Sequence, residues 1–191
     1  MPATTFSTAH NIHSLSSEKE KDVAIQSLVT AFHNDPIAQF AFPDEYIRDL
    51  NHTHLFTDII KDQRSENVII DVTEGAEAVA IWERKNPGDV SSGGDKGSCP
   101  VPPHVQEFFD KVEAAEPPRP YLYLSFLGSA KKGTGAGSAL IRHRLKQLRK
   151  GERVALWTGN ESNVKFYEKF GFRLFAKIQG NGVAAFWMVR V

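Results

Sequence analysis

Cysteine is almost missing from this chain: Cys99 is the only one among 191 residues. An intrachain disulfide is excluded, and the composition suits a reducing compartment, so a cytoplasmic location is expected. Cys99 itself lies in a stretch rich in Gly, Ser and Pro, where a catalytic nucleophile is not expected. No apolar run approaches the ~20 residues of a membrane-spanning helix, and Met1 to Phe6 shows neither the basic nor the apolar region of a signal peptide. No membrane partner is expected. An excess of one charge is also lacking. Lys plus Arg and Asp plus Glu both number 23, which argues against a nucleic-acid partner. The seven histidines show no zinc-ligand spacing. His52 and His54 do not share a helix face and read as a surface pair, so no metal is expected.

What is present is the composition of an ordinary folded domain. Hydrophobic residues at 41% and charged residues at 24% suffice for one core, and 1–191 is expected to be a single domain. Residues 4–12 read as a first strand. Ser17-Glu18-Lys19-Glu20 is a capping box, and Ile25, Leu28, Val29 and Phe32 follow at i, i+3, i+4 and i+7. A first helix should therefore end near His33, where Asp35-Pro36 breaks it. A second is expected from about Asp44 to Lys61, with Ile47, Leu50, Phe56 and Ile60 among its apolar positions. Val68 to Val72 and Ala76 to Trp82 form a hairpin about Thr73-Glu74-Gly75. Residues 86–103 read as a flexible loop and Val105 to Ala115 as a short helix. Strand 121–127, helix 137–150, strand 153–158, helix 161–170, strand 172–178 and strand 184–190 complete the chain. This alternation predicts an α/β architecture, a central mixed sheet of about seven strands flanked by helices.

The segment Lys132-Gly133-Thr134-Gly135-Ala136-Gly137-Ser138 falls where a strand turns into a helix. Glycine at every second position leaves backbone N–H groups accessible, and the helix N-terminus adds partial positive charge, so the segment is an anion cradle suited to phosphate. A plain tight turn is the alternative. A Walker A loop does not fit, because no Lys-Ser or Lys-Thr pair follows the glycines. A dinucleotide fingerprint does not fit either, because the third glycine comes one residue early. Lys131, Lys132, Arg142, Arg144, Lys146, Arg149 and Lys150 cluster around this loop, either as a solvated helix face or as an attraction for a polyanionic ligand.

A second motif follows. In Asn160-Glu161-Ser162-Asn163-Val164-Lys165-Phe166-Tyr167-Glu168-Lys169-Phe170-Gly171-Phe172, residues Asn160, Asn163, Val164 and Tyr167 share one helix face, and Gly171 ends the helix. The two motifs in this order resemble the GNAT acyltransferase superfamily, whose patterns are [QR]-x-x-G-x-[GA] and N-x-x-A/N-x-x-x-Y-x-x-x-G-F. A finer resemblance links Ala31-Phe32-His33-Asn34-Asp35-Pro36, Phe40-Ala41-Phe42-Pro43-Asp44, Val79-Ala80-Ile81-Trp82 and Tyr123-Leu124-Ser125-Phe126-Leu127-Gly128 to puromycin-acetyltransferase-like members.

The resemblance implies the GNAT fold and transfer of an acetyl group from acetyl-CoA to a primary amine of a small molecule. Acetylation of a peptide or protein, or a catalytically weak acyl-CoA-binding module, are the alternatives. It implies that Lys132, Gly133, Thr134, Gly135, Ala136, Gly137 and Ser138 hold the pyrophosphate. Backbone N–H groups near Phe126 or Leu127 polarise the thioester, Asn160 bonds the pantetheine arm or caps its helix, and Tyr167 is the general acid. Phe32, Asp35, Phe42, Glu83 and Tyr123 are candidates for the acceptor side, with Glu83, His33 or Asp35 as general base by position. Two departures stand out. Lys132 replaces the family's Gln or Arg and loses the fork geometry, and the connection after Leu127-Gly128 is about two residues short. The chain is expected to act as a monomer or homodimer.

Overall fold

The computed structural model describes residues 10–61, 67–89, 101–180 and 182–191. Among these the strands are β1 (Ile12–Ser14), β2 (Val68–Thr73), β3 (Ala78–Lys85), β4 (Tyr121–Ser129), β5 (Val154–Thr158), β6 (Arg173–Gly180) and β7 (Val183–Arg190). The helices are α1 (Glu18–Phe32), α2 (Pro36–Ala41), α3 (Glu45–Lys61), α4 (Pro103–Ala114), α5 (Ala136–Leu145) and α6 (Glu161–Glu168). The strands join in the order β1-β2-β3-β4-β5-β7-β6. Every neighbouring pair is antiparallel except β4 and β5, so the sheet is mixed, as expected.

Local sequence explains most boundaries. Ser17 accepts the Glu20 N–H at 3.2 Å and opens α1, and Ala24, Ile25 and Leu28 bury its inner face. Asp35-Pro36 does break the chain, but it also starts the unexpected helix α2. The Asp35 carboxylate caps it by accepting N–H groups of Ile37 and Ala38 at 2.9 and 3.2 Å, and Pro36 sits in the first turn, where it needs no donor. Of the expected strand 4–12, residues 4–9 lie outside the described part; among the described residues the strand is Ile12–Ser14, later than expected. Cys99 and most of the expected loop 86–103 also lie outside it. The expected helix 137–150 stops at Leu145: past the C-cap Lys146 the Gln147 N–H bonds the Arg144 carbonyl three residues back, a tightened last turn.

The largest correction concerns α3. Its buried face is Arg48, His52, Phe56 and Ile60, four residues apart throughout, whereas Ile47 and Leu50 are 39% and 41% exposed. His52 is therefore no surface residue. It stacks on Phe56 with ring centres 5.7 Å apart, and its Nδ1 has no partner among the described residues. Burial lowers its pKa and keeps the ring neutral.

Three apolar clusters hold helices to the sheet. Leu140 and Ile141 of α5 and Tyr167 of α6 pack on one face with Trp82, Leu122, Leu124 and Leu156. On the other face α1 and α3 cover Ile70, Val72, Val79 and Ile81. Alongside them, Ile37 of α2 and Phe108 and Val112 of α4 cover Ala155, Ile178, Ala185 and Trp187. Between these last two clusters runs β4, and there the sheet opens. β4 and β5 pair only at Leu122 with Val154 and Tyr123 with Ala155. Beyond that point β4 follows β3 as far as Ser129, while β5 follows β7 as far as Thr158. The pairing of β3 with β4 slips between Ile81 and Trp82, leaving Ser125 as an extra residue, and such a bulge bends and twists its strand.

Candidate active site

The opening between β4 and β5 is where the predicted residues gather. Past Tyr123, β4 has no strand partner on its β5 side, so alternate backbone N–H groups along Phe126 and Leu127 are free of the ladder on that edge. Both residues are half-buried. Such N–H groups suit an oxygen that gains negative charge.

At the far end of β4 lies the glycine loop. Gly133 and Gly135 both have φ of 81°, a left-handed conformation open to glycine and strained for other residues. Gly135 is the N-cap of α5, and no side chain caps that helix end. The first-turn N–H groups of α5 are thus left for an external acceptor, except for a long contact from Ala136 N–H to Thr134 Oγ1 at 3.4 Å. A pyrophosphate fits this donor set, which is all backbone and all at the positive end of a helix dipole. Gly137 is less constrained than expected: a Cβ there would meet Leu127 Cδ2 at an ordinary 3.7 Å. Lys132 and Thr134 are exposed, Ser138 half-buried, and the Thr134 carbonyl meets His10 Nε2 at 3.1 Å.

The basic cluster around the loop divides. Lys132 is exposed and makes no ion pair among the described residues. Lys131 is held by Glu77 at 2.7 Å, and Arg142 lies over the Phe170 ring at 5.4 Å. Arg144 faces inward and binds Asp71 of β2 through two hydrogen bonds, its Nε donating at 2.9 Å. Asp71 is fully buried. This pair, which the sequence pattern did not signal, ties α5 to β2 of the sheet.

Tyr167 enters the opening from the α6 side. It is 8% exposed and packs edge-on to Phe166 and Phe172, with ring centres 5.1 and 5.9 Å away. Its hydroxyl forms no hydrogen bond among the described residues and is not one of the sealed, unpartnered polar atoms. Burial and the nearby Asp35 charge push it above the ordinary tyrosine range, so it stays protonated at neutral pH. Asp35 approaches from the opposite face, between α1 and α2. Only its Oδ1 is used in capping, and burial raises its carboxyl above the ordinary value. A protonated hydroxyl and a carboxylate of raised basicity thus stand in each other's field.

Other candidates sit less directly. Asn160 caps α6: its Oδ1 accepts from the Ser162 N–H at 3.0 Å and the Ser162 hydroxyl at 2.7 Å, leaving its Nδ2 for another partner. Glu83 is bonded by Ser125 Oγ at 2.5 Å and by Lys85 Nζ at 2.6 Å, which neutralises it. Tyr123 lies beneath Lys85, 5.4 Å from ring centre to Nζ, and burial raises its pKa. Phe32 is a core residue, packed against Phe56 and Phe126 at 5.8 and 5.6 Å. Phe42 is the C-cap of α2 and gives its carbonyl to Arg48. His33 is engaged by Asp49 at 2.9 Å. Arg48 was overlooked because attention to apolar spacing hides a cation on the buried stripe; its spacing from His52, Phe56 and Ile60 is the signal that could have found it.

Residues 96–172 match the family model of the acetyltransferase (GNAT) family. The matched region is less than half of the chain. It holds the glycine loop, the β4–β5 opening and the Tyr167 helix. No curated protein matches this chain. Solved structures show the GNAT fold over nearly its full length. An acetyltransferase of Corynebacterium glutamicum, described as histone acetyltransferase HPA2 and related, superposes with TM-score 0.70 at 23% identity, covering 95% of each chain. A mosquito arylalkylamine N-acetyltransferase-like protein gives 0.63 at 11% identity over 94% of this chain and 99% of its own. A Thermoplasma acidophilum PaiA N-acetyltransferase in complex with coenzyme A gives 0.51 at 12% identity, over 94% and 98%. The family match over this region and the GNAT fold of the chain point the same way.

Proposed function

We propose that the chain transfers the acetyl group of acetyl-CoA to a primary amine of a small molecule. The observation that carries this reading is the β4–β5 opening, with an uncapped helix end beside it, Tyr167 on one face and Asp35 on the other. The donor supplies an activated thioester. The backbone of residues 132–138 holds its phosphates, and free N–H groups near Phe126 and Leu127 bind the carbonyl oxygen as charge builds there. Asp35 takes the proton of the attacking amine through Oδ2, which capping leaves free, and Tyr167 gives its proton to the departing sulfur.

A small acceptor is favoured over a peptide by the way α2 closes one end of the opening. A Cβ on Gly159, just after β5, would lie 2.1 Å from Ile37 Cγ1, so α2 rests directly on that strand end. Phe40 of α2 in turn packs on Phe108 of α4 at 5.7 Å. The finer likeness to puromycin-acetyltransferase-like enzymes agrees with a small amine as acceptor. The test is release of free thiol from acetyl-CoA with 2-phenylethylamine, putrescine and an alanyl peptide with a free N-terminus. Amine-dependent release with either small amine is expected. Turnover of the peptide alone would make the chain a peptide acetyltransferase, and binding without turnover would make it an acyl-CoA-binding module.

A further inference from the structure

Arg48 is 2% exposed, yet none of its hydrogen bonds goes to a carboxylate among the described residues. Its Nε donates to the His33 carbonyl at 2.8 Å, and its Nη1 donates to the Phe42 and Pro43 carbonyls at 2.7 and 3.1 Å. His33 and Phe42 are the C-caps of α1 and α2. A buried guanidinium is costly unless compensated. Here the last carbonyls of two helices supply the compensation, at the negative ends of their dipoles. One planar fork thus closes both ends of segment 33–43. Asp35 lies inside that segment, as does Ile37, which rests on Gly159 at the rim of the opening. The neighbouring residue Asp49 holds the His33 ring, adding a second tie at the same end.

We propose that Arg48 is a positioning residue for the acceptor half-reaction: it clamps segment 33–43 so that Asp35 faces Tyr167 across the β4–β5 opening. The proposal rests on the reading of Asp35 as general base. Arg48 bonds only the His33, Phe42 and Pro43 carbonyls and none of residues 132–138, which sit between the end of β4 and α5. Its loss should therefore separate the two substrates. Lysine at this position keeps the charge but cannot reproduce the fork.

The experiment compares Arg48→Lys, Asp35→Asn and the double variant in the full chain. Readouts are amide exchange, CoA affinity, and kcat with the fastest acceptor among 2-phenylethylamine, putrescine and the alanyl peptide. Asparagine still caps α2, so Asp35→Asn removes only the basic group. In Arg48→Lys, exchange across residues 33–43 should rise at least about tenfold and kcat should fall about 10–100-fold, because small misplacements of a reacting group are costly. CoA affinity should stay within about twofold, since the donor loop is untouched. The double variant should be no slower than Asp35→Asn alone. Unchanged exchange, an unchanged kcat, or losses that multiply in the double variant would overturn the clamp. Full activity in Asp35→Asn would instead overturn the general-base reading. Should Arg48→Lys fail to fold, Arg48→Gln, tested in the same way, decides between these outcomes.

Discussion

The two sides of the β4–β5 opening are built on different plans. The proposed donor side is continuous in sequence: β4, the glycine loop and the start of α5 run from Tyr121 to Ser138, and most of the groups it offers are backbone N–H. The proposed acceptor side is assembled from separated pieces. Asp35 sits between two helices, Arg48 fixes that junction from a third, and Tyr167 reaches in from the far end of the chain. A backbone site tolerates side-chain change but not change in φ. A side-chain site shows the opposite sensitivity. Substitutions on the two sides should therefore fail in different ways.

The largest effect is expected at Tyr167. Tyr167→Phe keeps the ring between Phe166 and Phe172 and removes only the hydroxyl. If that hydroxyl donates its proton in the transition state, kcat falls about 10²–10⁴-fold while the Michaelis constant for acetyl-CoA barely moves. A rate within a few-fold of wild type would make Tyr167 a packing residue and leave the acceptor side without its acid. The melting temperature should hold, because the hydroxyl has no hydrogen bond to lose among the described residues.

Next in size is Asp71→Ala. It strands Arg144, which is buried and bonded to Asp71 through two nitrogens. Removing one partner of a buried ion pair typically costs about 3–5 kcal/mol, seen here as a lower denaturant midpoint. If the start of α5 holds the phosphates as proposed, CoA affinity should weaken too. A variant that lost stability but bound CoA with unchanged affinity would show that the pair supports the fold alone and plays no part in placing the donor helix.

Gly135→Val tests the donor plan itself. Valine is strained at φ of 81°, and its side chain would crowd the helix end that faces the ligand. The rise in melting temperature on adding CoA, equivalent to about 2.7 kcal/mol when CoA is a hundredfold above its dissociation constant, should vanish. An undiminished rise would place the phosphates elsewhere. The same substitution at Gly137, where φ is negative and a Cβ meets only Leu127, should preserve most of that rise.

These contrasts also explain what could be read from the chain. The glycine loop between β4 and α5 was legible because its signal is local: glycines at fixed offsets, a strand before them and a helix after. The order of strands and helices was legible for the same reason, since each element announces itself by period and cap. The acceptor side was not. Asp35-Pro36 reads equally well as a helix stop and as a helix start, and the structure uses it as both. Nothing local says that the carbonyls of His33 and Phe42 converge on Arg48, because that meeting is fixed by how α1, α2 and α3 pack. His52 was misplaced by a rule about polar residues that a neutral, stacked imidazole does not obey. Charge counts misled in the same way around α5, where Arg144 adds to the basic tally yet points into the sheet.

Asn160 belongs to both plans at once, and the smallest predicted effect separates them. Its Oδ1 caps α6, the helix that carries Tyr167, by accepting from the N–H and the hydroxyl of Ser162. Losing such a cap costs about 0.5–2 kcal/mol. Its Nδ2 donors remain for the pantetheine arm of the donor. Asn160→Asp keeps the capping oxygen and removes the donors, whereas Asn160→Ala removes both. If the amide serves the donor, both variants raise the Michaelis constant for acetyl-CoA several-fold, and only the alanine variant melts earlier. If it is a cap and nothing more, the aspartate variant matches wild type in both stability and Michaelis constant. The alanine variant would then lose stability and, as α6 frays, a little kcat through Tyr167. A raised Michaelis constant in the aspartate variant with unchanged melting is the result that assigns Asn160 to the donor side.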